Sequence, residues 1–160
     1  MLQNQIPMLA DLKEAESITR VDGNVLGQMF VSEYAKLDAN IDYLNKINVF
    51  PIADGETGAN MKICIKLPSR NLLLDPSPSI LRVASNMAAE VLLNGQGNSG
   101  TTLSHFYVSL AEEIRDFSAS TYNDSLSIDE FASCLATTGR KMIEAVPNPV
   151  EGTPLSVARD

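Results

Sequence analysis

Basic residues are scarce in this chain. Its 160 positions hold 12 Lys+Arg against 20 Asp+Glu, a formal charge of −8. Neutralising a nucleic-acid backbone takes clustered Lys and Arg, so a general nucleic-acid binder is excluded. The chain carries no polybasic patch for an anionic membrane surface. Apolar runs are short as well, and none approaches the ~18 residues of a membrane span. Residues 1–16 have no basic stretch followed by an apolar one, so no signal peptide is visible. The two cysteines, Cys64 and Cys134, sit in apolar helical patterns with no CxxC or Cys/His neighbour. They read as reduced, buried thiols of a reducing compartment rather than as a disulfide, and a cytoplasmic location follows by default. Histidine occurs once, at His105. Without a second His or a Cys motif it reads as a helix-surface or supporting residue rather than a metal ligand. Ser99 and Ser104 have no Ser-His-acid arrangement around them, which argues against nucleophilic hydrolysis.

What is present is ordinary globular usage, 44% apolar and 20% charged, enough for one folded domain. Residues 1–20 show no clear period and read as an N-terminal extension; 21–160 read as one helical domain. Asp22 is a plausible N-cap for a first helix running to about Asn45, with Leu26, Met29, Phe30, Leu37, Ile41 and Leu44 inward. A second helix is expected from Thr57 to just before Pro68. Ser79 caps a third, whose apolar face is Ile80, Val83, Ala84, Met87, Val91 and Leu92, and Asn94-Gly95 ends it in a left-handed cap. The fourth helix follows the loop Gly95–Gly100 and carries Leu103, Phe106, Leu110, Ile114 and Phe117. Residues 118–126 read as a surface loop. Ser127 and Glu130 form a capping box for a fifth helix with Phe131, Cys134, Leu135, Met142 and Val146. Pro147-Asn148-Pro149 breaks it, and Thr153-Pro154 opens a sixth. Met29, Met61, Met87 and Met142 fall at core spacing. Strand alternation is absent. The fold class is all-α, an up-and-down antiparallel bundle or barrel, incomplete at its C-terminal end because the sixth helix has scarcely begun at Asp160.

Three glycine-bearing loops precede the second, fourth and sixth helices: Asp54-Gly55-Glu56-Thr57-Gly58, Gly95–Gly100, and Pro149-Val150-Glu151-Gly152-Thr153. Alternate helices of an up-and-down array begin at one end. Three N-termini, each with free N–H groups and partial positive charge, then converge as a phosphate cradle. Asp54 and Glu56, with Asn48 nearby, add hard oxygen ligands suited to Mg²⁺ bridging to phosphate. Taken alone, each loop is an ordinary solvated turn; the three in phase make the case.

Asn48–Met61 resembles the NVFPVPDGDTGTNM signature of the fatty acid kinase A subunit, a relative of the ATP-binding L subunit of dihydroxyacetone kinase. Gly97-Asn98-Ser99-Gly100, followed by Leu103-Ser104, is similar to that family's GNSGVILSQ. Pro149–Thr153 with Leu155, Val157 and Ala158 is similar to its PVEGTILTVA. The resemblance runs from about Ile18 to Asp160. It implies an ATP-binding barrel of antiparallel helices in which Asp54 and Glu56 hold Mg²⁺ and serve catalysis. Asn98 and Ser99, flanked by Gly97 and Gly100, would lie at the phosphates, and Thr57, Asn60 and Thr153 fall in matching blocks. It also implies a fatty acid presented by a separate carrier protein and converted to an acyl phosphate. Three positions depart from the pattern: Glu56 stands for Asp, Gln96 for Arg and Ala53 for Pro. The family domain continues beyond the equivalent of Asp160, so self-association or a partner chain is expected to cover exposed helix faces. Two other readings remain: a non-catalytic nucleotide- or partner-binding module, and a dihydroxyacetone kinase L-type subunit.

Overall fold

The computed structural model describes residues 18–145, 148 and 150–159. The expected extension falls mostly on residues 1–17, outside that range, as do Val146, Pro147 and Pro149 of the fifth helix and its break. Helices account for most of the described chain: α1 (Gly23–Ala39), α2 (Ile41–Lys46), α3 (Thr57–Leu74), α4 (Ile80–Asn94), α5 (Gly97–Thr121), α6 (Ile128–Glu144) and α7 (Pro154–Arg159). The all-α reading holds. Two two-residue strands, β1 (Arg20–Val21) and β2 (Leu126–Ser127), pair antiparallel. Neither strand is long enough to show alternation in the sequence.

α5 packs against α3, α4 and α6, and α1 closes on α3 and α4. The core contains Leu26 and Phe30 of α1, Cys64 and Ile65 of α3, Ile80, Val83, Met87 and Val91 of α4, and Leu110 and Ile114 of α5. Both cysteines are buried free thiols, and burial pushes each above its ordinary range. Among the described residues no helix is long and apolar enough to cross a membrane.

Several boundaries differ from the expected ones, each for a local reason. The first helix is two. Asn40 turns its side-chain amide onto the Lys36 carbonyl at 2.7 Å, and that competition with the backbone ends α1. Pro68 lies inside α3 and is buried with Ser69. Packing against α1, where the Ser69 hydroxyl approaches the Phe30 carbonyl at 3.4 Å, outweighs the one helical bond that proline cannot make. Gly95 has φ −67°, not a left-handed value, and α5 begins two residues later, inside the expected loop. At its other end α5 absorbs 118–121 and stops where Tyr122 turns left-handed at φ 55°.

Side-chain placement differs too. The buried seam of α5 is Ser104, Tyr107, Leu110, Ile114 and Ser118, one residue round from the expected stripe at its two ends. Leu92 is 58% exposed and Met29 42%, whereas Met87 and Met142 are buried as expected. Leu135 lies at the surface of α6, which turns Phe131, Cys134 and Thr138 inward. The capping box at Ser127 is present in both directions.

A polar cluster crosses this core. The Tyr107 hydroxyl donates to Glu33 of α1, and Cys64 Sγ lies 3.2 Å from Ser104 Oγ. Burial raises the Glu33 carboxyl above its ordinary range, and the tyrosine hydrogen bond works the other way. A fold that holds this proton more tightly than the unfolded chain has that stability in full below the ordinary Glu value. It loses it as pH rises through the raised folded value. Glu33→Gln keeps an acceptor for Tyr107 and cannot ionise. Between about pH 4 and pH 8, the stability of the parent chain relative to this variant should fall as pH rises. Urea denaturation across that range checks it; parallel pH–stability curves would contradict it.

Candidate functional site

The 47–56 loop is braced by its own side chains. Asn48 Oδ1 accepts from the Gly55 N–H at 2.9 Å, and Asp54 Oδ1 accepts from the Glu56 N–H at 3.1 Å. Asn45 then reaches past the loop to the start of α3. Its Oδ1 takes the Gly58 N–H at 2.8 Å and the Ala59 N–H at 3.3 Å. This corrects the expectation of free donors at that N-terminus: a side chain from the end of α2 already caps it.

α5 differs. Its N-cap residue Gln96 makes no side-chain cap bond, and Gly97 enters the helix at φ 62°, where a residue with a Cβ is strained. A Cβ on Gly97 would also stand 2.4 Å from the Asn60 amide nitrogen. The glycine therefore lets the start of α5 press against α3. Ser99 Oγ ties the two starts together by donating to the Thr57 carbonyl at 3.2 Å. In the third loop, Thr153 Oγ1 donates to the Val150 carbonyl at 2.7 Å, so this hydroxyl braces its own turn. The six-residue α7 that follows is anchored by buried Leu155.

The three loops meet around one cavity of about 710 Å³. Of the residues singled out in the sequence, Asn48, Asp54, Glu56, Thr57 and Asn60 line it from the α3 side. Gly97, Asn98 and Ser99 line it from α5, and Thr153 from the α7 side. Gly100 does not: it is buried behind the wall, where a Cβ would meet the Asn60 carbonyl at 3.1 Å. Sequence reasoning missed an apolar wall of Phe50, Ile52, Val150 and Leu155, and a polar line of Thr101, Thr102 and His105 along α5. The second had a signal: Asn98, Thr101, Thr102 and His105 share one helical face by their spacing.

Residues 51–160 match the DAK2 domain family. The chain belongs to the DAK2 domain family. It is 31% identical over 144 residues to Protein YloV of Bacillus subtilis, an alignment covering 90% of the chain and 25% of that protein. An uncharacterized protein of Staphylococcus epidermidis is 28% identical over 143 residues, covering 89% of the chain and 25% of the relative. One from Staphylococcus aureus is 29% identical over the same length and coverage. The chain thus spans about a quarter of the length of these relatives.

The donor chemistry of this DAK2 domain fits a hard divalent cation. Asp54 has a second carboxylate oxygen beyond the one held by Glu56 N–H, and the Glu56 carboxylate has no hydrogen bond among the described residues. Oxygen donors of this kind suit Mg²⁺ when phosphate and water complete the shell. The set is sparse, however: no group of three or more His, Cys, Asp or Glu is poised to hold a metal among the described residues.

Proposed function

We propose that the cavity binds ATP with Mg²⁺ and that the γ-phosphoryl group is passed to a fatty acid presented by a separate carrier protein. The observation behind this reading is the meeting of three separate loops, with Asp54, Glu56, Asn98 and Ser99 among their residues, on one cavity. The free α5 N-terminus offers N–H donors and a positive dipole end to phosphate oxygens. Asp54 and Glu56, with Asn48 beside them, would hold Mg²⁺, which neutralises charge on the transferring phosphate. A fatty-acid carboxylate is already ionised near neutral pH, so it needs no general base to attack phosphorus. Membership of the DAK2 family is equally compatible with a dihydroxyacetone kinase L-type role, in which the acceptor also comes from a partner.

A non-catalytic reading draws on the sparse carboxylate set and on Gln96, whose neutral amide lies 3.5 Å from Asn60 where the resembling family has a cation. The deciding experiment is ATP binding by calorimetry with Mg²⁺ and with excess chelator, followed by acyl-phosphate formation from carrier-bound fatty acid. Chelation should weaken binding by at least about tenfold, or about 1.4 kcal/mol. Equal affinity in both conditions would sink the metal role. Metal-dependent binding without transfer would select the non-catalytic reading.

A further inference from the structure

His105 is exposed on α5 and lines the cavity. Its ring makes no hydrogen bond or ion pair among the described residues. The titratable groups that share the cavity wall with it are Asp54 and Glu56, both acidic, from the loop before α3. The α7 side contributes Thr153, Pro154 and Leu155, none of them titratable. Among the described lining residues none is Lys or Arg. A polyanion entering this cavity therefore meets two carboxylates and a single side chain able to carry positive charge. Asn98 and His105 lie on one face of α5, about 10 Å apart along the axis at 1.5 Å per residue. Thr101 and Thr102 stand between them. Polar groups thus continue two turns beyond the helix start, so an extended ligand can touch both ends of the line.

We propose that His105 contacts the bound ligand and that its imidazolium supplies the positive charge the rest of the wall omits. The proposal rests on the reading of the cavity as a nucleotide site and adds a pH dependence to it. A polyphosphate is held more tightly by a charged imidazole than by a neutral one, so binding should strengthen on the acid side.

The test is calorimetry of Mg-ATP on the whole chain and on His105→Gln, at about pH 6 and pH 8. Gln preserves hydrogen bonding but cannot titrate, and the ligand's own titration cancels in the ratio of the two proteins. That ratio should rise by up to about fivefold towards pH 6, the size of a screened, exposed charge pair. The parent chain, and not the variant, should also take up additional protons on binding, read by varying the buffer. Equal ratios at both pH values would overturn the role of His105 and leave the nucleotide site standing. Failure of the parent chain to bind Mg-ATP at either pH would overturn both.

Discussion

Asp54→Ala should abolish measurable Mg-ATP binding while leaving the helical content unchanged. Asp54 is exposed, in the loop between α2 and α3, and its carboxylate accepts a local hydrogen bond from the Glu56 N–H. Surface substitutions of this kind usually alter stability by less than about 0.5 kcal/mol. The effect on the ligand is different in kind, because Asp54 is one of two carboxylates on the cavity wall. Mg²⁺ sites of this type run on one or two carboxylates plus phosphate oxygens, so removing one takes away half the protein's charge on the ion. A loss of at least about 100-fold, near 2.7 kcal/mol, is expected. Asp54→Asn separates two roles, since it retains the acceptor for Glu56 N–H but drops the charge. It should bind as poorly as the alanine variant. Calorimetry with far-UV circular dichroism reads both. Binding retained by Asp54→Asn would make the residue a brace for the loop rather than a ligand.

The largest loss of stability is expected from Gly23→Ala. Gly23 opens α1 and donates its N–H to the Pro78 carbonyl at 2.8 Å. An added Cβ would stand 2.3 Å from the Ser77 carbonyl oxygen and 2.5 Å from that of Ser79. Both neighbours are backbone, so no rotamer can relieve the contact. The strand of chain that leads into α4 has to move, and Ser79 is the cap of that helix, accepting from Arg82 N–H at 3.2 Å. Overpacking of this type costs about 2–3 kcal/mol, a fall in Tm of about 4–12 °C for a domain of this size. Gly27→Ala is the internal control. It lies one turn along the same helix, and its Cβ would meet only the Leu72 side chain, at 3.9 Å. There alanine should stabilise by about 0.5–1 kcal/mol through helix propensity. Thermal melts of the two variants should therefore shift in opposite directions; a Gly23→Ala chain melting at the parent temperature would refute the steric argument.

The sequence showed most where structure is decided locally. The Ser127–Glu130 box and the Ser79 and Asp22 caps each depend on residues a few positions apart, and each is in place. The loops that meet at the cavity were legible because alternating helices share an end. What escaped depends on contacts across the chain. Asn45 caps α3 from 13 residues away, a reach that no capping pattern encodes. Pro68 stays helical because α1 lies against it, and a propensity argument sees only the missing N–H. His105 reads from sequence as a helix-surface or supporting residue and is exposed on α5; its place on the cavity wall is what the sequence did not show. The buried seam of α5 includes Ser104, which leaves the next residue, His105, on the cavity wall.

The β1–β2 pair says something about the order in which this chain assembles. Arg20 binds Ser125 through its Nε, at 2.9 Å, across 105 residues of sequence. Bringing such distant points together in an open chain costs about 4 kcal/mol in loop entropy before any contact is made. An exposed hydrogen bond returns about 1 kcal/mol, and Val21 and Leu126, both fully buried, gain their burial only against helices already in place. The ends must already be held near each other by α1 seated on α4 and by α6 folded back along α5. The little sheet is a latch that closes on a nearly finished bundle. Its protection against amide exchange should therefore track the packing of those helices and vanish with it.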